Sequence, residues 1–294
     1  MNQPPRCFIE LPAGLASVSL RLHGGPHCRP PVSRFGSKQG FAAVILDALG
    51  LHGGMGAGSF VWADADPDAL AVLSAYAAPA QLAQAATTIK GWAQEQPRHL
   101  WDRLRAARNG RHELAAWLVL AAWTKGNDAD ATMYLGPDRP STKRLHDPNW
   151  VACITTAGLA ARCARVAQQV ASMQVLRVAP AVPGAAEVAG WLGTPGDLSG
   201  CVVYAAPPYL GTSGYKAKLS REQVVAYARE FAALGAVVCV SEAQPLAELG
   251  WDAVEITGGR YGTKRAFSTQ QTEWLTLNRS PAHRVAVQVA MFGP

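Results

Sequence analysis

Read for the alternation of apolar and polar positions, the chain switches between short apolar runs and longer stretches of helical period. Ser59 to Ala63, Val175 to Val178, Cys201 to Ala205, Ala236 to Ser241 and Trp274 to Leu277 are apolar runs of strand length. The unbroken run from Ala236 has the character of a strand buried on both faces. Between the strands, the spacing predicts helices over 41–51, from Pro67 towards Tyr76, across 79–105, over 113–124, over 151–173 and over 220–234. Ser220 stands where an N-cap is needed and Gly235 just past the helix end. A polar loop over 125–148, with Gly126, Pro137, Pro140 and Pro148, divides the helical middle. The first thirty residues are rich in Pro and Gly and read as an irregular arm. Strands alternating with helices argue for a parallel α/β sheet.

Composition narrows the class. The 294 residues are 49% apolar, which is globular and far from disordered. No apolar run reaches the roughly 18 residues needed to cross a bilayer. The start of the chain carries Arg6 and two prolines but no hydrophobic signal core, so a cytoplasmic protein is expected. The six cysteines, Cys7, Cys28, Cys153, Cys163, Cys201 and Cys239, show no CxxC spacing and are expected to be reduced and mostly buried. His23, His27 and Cys28 lack a second ligand pair, and a turn at Gly24-Gly25-Pro26 accounts for them; no metal is expected. A net charge of +6 permits a polyanionic partner without requiring one.

The segment with most chemistry is Cys201 to Tyr215, CVVYAAPPYLGTSGY. An apolar strand delivers a Pro-Pro-Tyr turn at its C-terminal end, where open α/β sheets place ligands. Pro207 and Pro208 supply no backbone donors and leave carbonyl oxygens free to accept. Tyr209 there is open to two readings, a packed tyrosine in an ordinary strand-ending turn or an aromatic platform for a planar base.

These residues carry a resemblance. Ala206-Pro207-Pro208-Tyr209, followed by Tyr215, resembles the Asp-Pro-Pro-Tyr catalytic turn of the Dam-like DNA adenine methyltransferases. Arg34-Phe-Gly-Ser-Lys-Gln-Gly40 resembles that family's Phe-Gly-Gly-Lys cofactor segment, Val61-Trp-Ala-Asp-Ala-Asp-Pro67 its acidic strand end, and Thr272-Glu-Trp-Leu275 its late Thr-Glu-x-Leu strand. The resemblance implies a Rossmann-like α/β sheet of the S-adenosylmethionine (SAM)-dependent methyltransferases with a helical target-recognition insertion. It divides the chain into a cofactor part (1–78), the insertion (79–173) and a catalytic half (174–294). It implies SAM as cofactor and DNA as partner. Phe35, Gly36 and Lys38 would lie near the cofactor's methionine end. Asp64 or Asp66 would accept from the ribose hydroxyls, with Asp66 equally suited to cap the helix at Pro67. Tyr209 would stack on an adenine turned out of the duplex. Tyr215 and Lys216, with Arg221 beyond, would follow the strand, and Arg139, Lys143, Arg144, Arg260 and Lys264 are candidate phosphate contacts. Lys218 reads rather as a solvated loop residue, and Trp117 and Trp123 as core.

Two departures from the family's pattern matter. Its Phe-x-Gly-x-Gly loop follows a first strand, whereas here Gly53, Gly54, Gly56 and Gly58 directly precede the Phe60 strand. Its catalytic aspartate is replaced by Ala206, so one of two groups directing the adenine amine is missing and only the Pro207 carbonyl remains. Methyl transfer to adenine is therefore expected to be very poor. Three explanations stay open: an inactivating substitution in an otherwise active enzyme, a scaffold kept for DNA binding, or chemistry on another base or group.

Overall fold

The computed structural model describes residues 4–32, 38–51, 54–56, 58–108, 113–124, 129–130, 132–139, 148–207, 219–257 and 272–281. Near its centre, inside the stretch whose composition reads as an irregular arm, lies a strand, β1 (Cys7–Leu11), whose five residues are all buried. Pro4, Pro5 and Pro12 flank it, and those prolines masked a five-residue run that is apolar except for Glu10. Helix α1 (Ser17–Gly24) follows, so the first thirty residues contain the core strand of the sheet and its first helix.

Six more strands complete the sheet: β2 (Ser59–Ala63), β3 (Val175–Ala179), β4 (Cys201–Ala205), β5 (Val237–Glu242), β6 (Asp252–Thr257) and β7 (Thr272–Leu277). Their order is β3-β2-β1-β4-β5-β7-β6. The first five run parallel, and β7 is antiparallel to both β5 and β6. This is the strand order of the Rossmann-like methyltransferase sheet, as the sequence implied. The order reverses between β1 and β4, and at such a reversal the loops leaving neighbouring strands diverge to opposite faces and open a crevice at the C-terminal edge.

Each face of the sheet has its own apolar layer. On one, Phe8, Phe60, Trp62, Val202 and Tyr204 pack beneath α1, α2 (Ala42–Ala48) and the long helical segment between β2 and β3. That segment comprises α3 (Pro67–Ala77), α4 (Pro79–Gly91), α5 (Pro97–Ala107), α6 (Leu114–Trp123), α7 (Pro148–Ile154) and α8 (Thr156–Val170). Trp117 and Trp123 are buried there, as expected of core residues. On the other face Cys7, Ile9, Val203 and Val238 meet α9 (Ala185–Trp191) and α10 (Arg221–Ala233).

Local signals set the helix ends. Asp66 caps α3 by accepting from Asp68 N–H, with Pro67 in the first turn. Ser220 and Gln223 close a capping box on α10, and Gly235 beyond it holds φ +87°. Cys7, Cys28, Cys163, Cys201 and Cys239 are free and buried, and Cys153 is free and exposed. Among the described residues no helix is long and apolar enough to cross a membrane, and no group of three His, Cys, Asp or Glu side chains is placed to hold a metal ion.

Candidate functional site at the strand switch

The loop that leaves β1, residues 12–16, is tied to both neighbouring strands. Ala13 N–H donates to Ala63 O of β2 at 2.8 Å, and Gly14 N–H donates to the Asp64 carboxylate at 2.8 Å. On the other side, Ala206 N–H donates to Leu11 O at 3.0 Å. The end of the acidic strand, the first loop and the start of the Ala206-Pro207 turn are thus fastened together at the switch point. Gly14 holds φ +54°, and a β-carbon built on it would meet nothing within 4 Å. The backbone here is bare towards open space, so a ligand can approach it closely.

This corrects the reading of the glycine-rich stretch. Gly56 and Gly58 precede β2 and lie beside Pro4 and Pro5, at the edge where β1 and β2 begin, Gly54 lies against Leu22 O, and Gly53 is outside the described residues. A β-carbon on Gly58 would come within 2.4 Å of Pro5 O. Glycine is required there for two backbones to pass, at the edge opposite the switch crevice. The position after the first strand belongs to Pro12–Ala16, where a single glycine, Gly14, provides the turn.

Asp64 is 9% exposed, and its two carboxylate oxygens accept from Gly14 N–H and Asp66 N–H at 2.8 Å each. It clamps the first loop to β2. Asp66 spends one oxygen on the cap of α3.

Under the loop lies a carboxyl group that the sequence reading did not single out. Glu10 is 2% exposed and accepts from Ser19 N–H at 2.8 Å, Ser19 Oγ–H at 2.5 Å and Val18 N–H at 3.3 Å. Ser19 Oγ in turn accepts from Trp62 Nε1–H at 2.9 Å. Burial outweighs the three donors and pushes the Glu10 carboxyl up to about 7. The network locks the first turn of α1 to β1 and β2, and so fixes the loop between them. An acidic residue inside an apolar run was the available signal.

A second cluster sits at the ends of β5 and β7. Lys38, in a 3₁₀ turn over Lys38–Gly40, places its ammonium 3.1 Å from Glu273. Both side chains are nearly inaccessible, at 8% and 3% exposure. Ser241 Oγ–H also donates to that Glu273 oxygen at 3.2 Å. Glu242 next to it is 7% exposed. Burial pushes its carboxyl up to about 7, against the opposing pull of Ala243 N–H, Lys38 and Arg221.

No protein-family model matches the chain, and no curated protein matches it. Two solved structures of the rRNA methyltransferase aviRa from Streptomyces viridochromogenes are distantly similar, with TM-scores of 0.34 and 0.35 and 11% identity. The similarity covers 94% of this chain and 78% of each aviRa chain. The strand order, rather than this similarity, carries the fold assignment.

Of the residues singled out from sequence, the structure brings Asp64, Ala206 and Pro207 to one junction. It sets Lys38 at the neighbouring β5–β7 corner and Asp66 at the start of α3. Arg139 is exposed on the turn after Tyr134. Arg221, at the start of α10, holds Glu248 at 2.6 Å. Phe35, Gly36, Pro208, Tyr209, Tyr215, Lys216, Lys218, Lys143, Arg144, Arg260 and Lys264 lie outside the described residues. His23 Nε2 sits within 3.2 Å of Gln169 O and 3.1 Å of Ser172 Oγ, an ordinary bridge from α1 to the end of α8.

Proposed function

We propose that the chain is a SAM-dependent methyltransferase scaffold of the kind that modifies the N6 amino group of adenine in DNA, crippled for that transfer by alanine at position 206. The observation that carries the reading is the 3.0 Å hydrogen bond from Ala206 N–H to Leu11 O. It sets Ala206 and Pro207, the start of the motif resembling a catalytic turn, beside the loop after β1, at the edge of the sheet where this sheet type binds ligands. A similar motif on a loop elsewhere would carry no such meaning.

The residues present fit SAM. The bare backbone at Gly14 admits an adenosyl group, and the Asp64 carboxylate, an acceptor when ionised, suits the ribose hydroxyls. When bound, SAM supplies an electrophilic methyl group on a sulfonium. The chain's own contribution is to fix the loop through Glu10, to hold the ribose, and to direct an amine through the Pro207 carbonyl. Without a carboxylate at 206, a hydrogen bond to a charged acceptor is missing, worth about 1.5–3 kcal/mol in binding and more where the amine becomes cationic.

DNA as partner rests on the turn motif, the net charge of +6 and the basic residues Arg139, Lys143, Arg144, Lys216, Arg260 and Lys264. In this reading 79–173 recognises the target. Duplex affinity should then fall steeply with salt.

The deciding experiment is transfer of labelled methyl from SAM to adenine-containing DNA by the chain and by Ala206→Asp. A gain of tenfold or more is expected; no gain refutes the catalytic reading. Ala206 itself favours one other reading, a DNA-binding protein that keeps the scaffold without the chemistry. That reading requires DNA binding with no calorimetric signal for SAM in either form.

A further inference from the structure

β4 and β5 are parallel, with Ala205 opposite Val240. Continued by two places, the register sets Ala206 beside Ser241 and Pro207 beside Glu242, one strand spacing of about 4.8 Å away. Glu242 therefore ends the strand next to the diproline turn. A glutamate side chain is long enough to bridge one strand spacing.

The surroundings of this carboxyl leave part of it unused. Its Oε2 accepts from Ala243 N–H at 3.2 Å, while Oε1 accepts no hydrogen bond from the described residues. The charged groups facing it are Lys38 from the 3₁₀ turn, Arg221 from α10 and Glu273 from β7. Neither cation pairs with it: Lys38 is bonded to Glu273, and Arg221 grips both oxygens of Glu248, at 2.6 and 2.9 Å. The turn bearing Lys38 contacts α1 and α2 on one face of the sheet, whereas α10 covers the other. Charged groups on both faces of the sheet thus act on this carboxyl, at the end of β5. Among the described residues this acid has no ion pair, and Oε1 is not sealed from solvent, so it is open to a donor from outside the fold.

We propose that Glu242 accepts the amino N–H of the target base, supplying from β5 the contact that alanine at 206 cannot make. The proposal rests on the reading of the crevice as a methyltransferase site and adds to it a substrate-binding residue from a neighbouring strand. The substrate class is a nucleobase with an exocyclic amine. Ionised Glu242 accepts such a donor better than the protonated form, and its carboxyl titrates near neutrality, so recognition should strengthen as pH rises from about 6 to about 8.

The test is fluorescence-anisotropy titration of the full chain with two short DNA oligonucleotides. One carries adenine, and the other carries N6,N6-dimethyladenine at the same place, which has no N–H to donate. The unaltered chain should prefer adenine by about tenfold, the effect of one hydrogen bond to a charged acceptor. Glu242→Ala should bind both at the weaker level, and Glu242→Gln should retain part of the preference and lose its rise with pH. Survival of the full preference in Glu242→Ala overturns the proposal. Should Glu242→Ala fail to fold, Glu242→Gln decides, because an unchanged ratio and pH profile there also overturn it. Calorimetry with SAM separates the two levels. SAM binding with an unaltered base preference removes only Glu242's role, whereas a chain that binds neither SAM nor DNA removes the site reading and this proposal with it.

Discussion

Glu10 offers a direct test of how this fold fixes its first loop. Its carboxyl is fully buried and stands at about 7, where an unburied glutamate has 4.5. Between those values the folded chain keeps a proton that the unfolded chain has released. Stability must therefore fall as pH rises through that window, and level off above it. At 1.36 kcal/mol per pKa unit, the fall is about 3 kcal/mol. Glu242, also raised to about 7, acts in the same direction. Glu248, held near 2 by Arg221, works in the opposite sense, but only below its ordinary range. The perturbation is Glu10→Gln, which keeps the shape and removes the titration. Its amide nitrogen would face one of the three donors, so the variant should lose about 1 kcal/mol at pH 5. Urea unfolding followed by circular dichroism, at about pH 5 and about pH 8, reads both effects. The unaltered chain should be clearly less stable at the higher pH, and Glu10→Gln should remove Glu10's share of that difference, about half, while the share of Glu242 remains. Equal pH slopes in the two proteins would refute the argument, because the proton would then have to reside elsewhere.

Other substitutions probe the remaining parts of the site. Asp64→Asn replaces one of two acceptors with a donor, so the Gly14 loop should loosen by about 1–3 kcal/mol in thermal unfolding and SAM affinity should drop in calorimetry. Glu273→Gln leaves the Lys38 ammonium buried without its counter-charge and should cost about 3–5 kcal/mol. The double change Lys38→Met with Glu273→Leu should recover most of that loss, and its failure to do so would show that the pair is held for more than mutual compensation. Ala206→Asp should raise methyl transfer to DNA by tenfold or more, read with labelled SAM.

Much of this architecture was legible in the sequence because its signals are local. Strands β2, β3, β4, β5 and β7 announce themselves as apolar runs, and the capping residues Asp66 and Ser220 sit where the structure uses them. β1 was missed because prolines on both sides and a glutamate inside it broke the pattern that a propensity reading follows. Neither feature hinders a central strand here. Pro12 falls just beyond the last strand residue, and Glu10 is bonded to Ser19 and Val18 of the helix that follows. With β1 hidden, the glycines at 53–58 stand as the nearest glycine-rich stretch, although the loop after the first strand is 12–16. Composition cannot tell a glycine that faces open space, as at Gly14, from one needed for two backbones to cross, as at Gly58. The neighbours decide that, and they come from remote parts of the chain.

Position 206 shows the complementary case, in which a sequence departure gains meaning only from the fold. Ala206 N–H is engaged by Leu11 O, and Ala205 before it is in register with both β1 and β5. The backbone at Ala206 is therefore set by the sheet, not by its side chain, so a carboxylate placed there would sit on the same backbone. That separates two kinds of loss. A missing carboxylate on an intact backbone can be restored at position 206 or compensated from the adjacent strand, where Glu242 ends β5. A displaced turn could be rescued by neither. Rescue by Ala206→Asp, or a base preference that depends on Glu242, would each require the intact geometry. If both were absent, the reading of this crevice as a methyl-transfer site would lose its support.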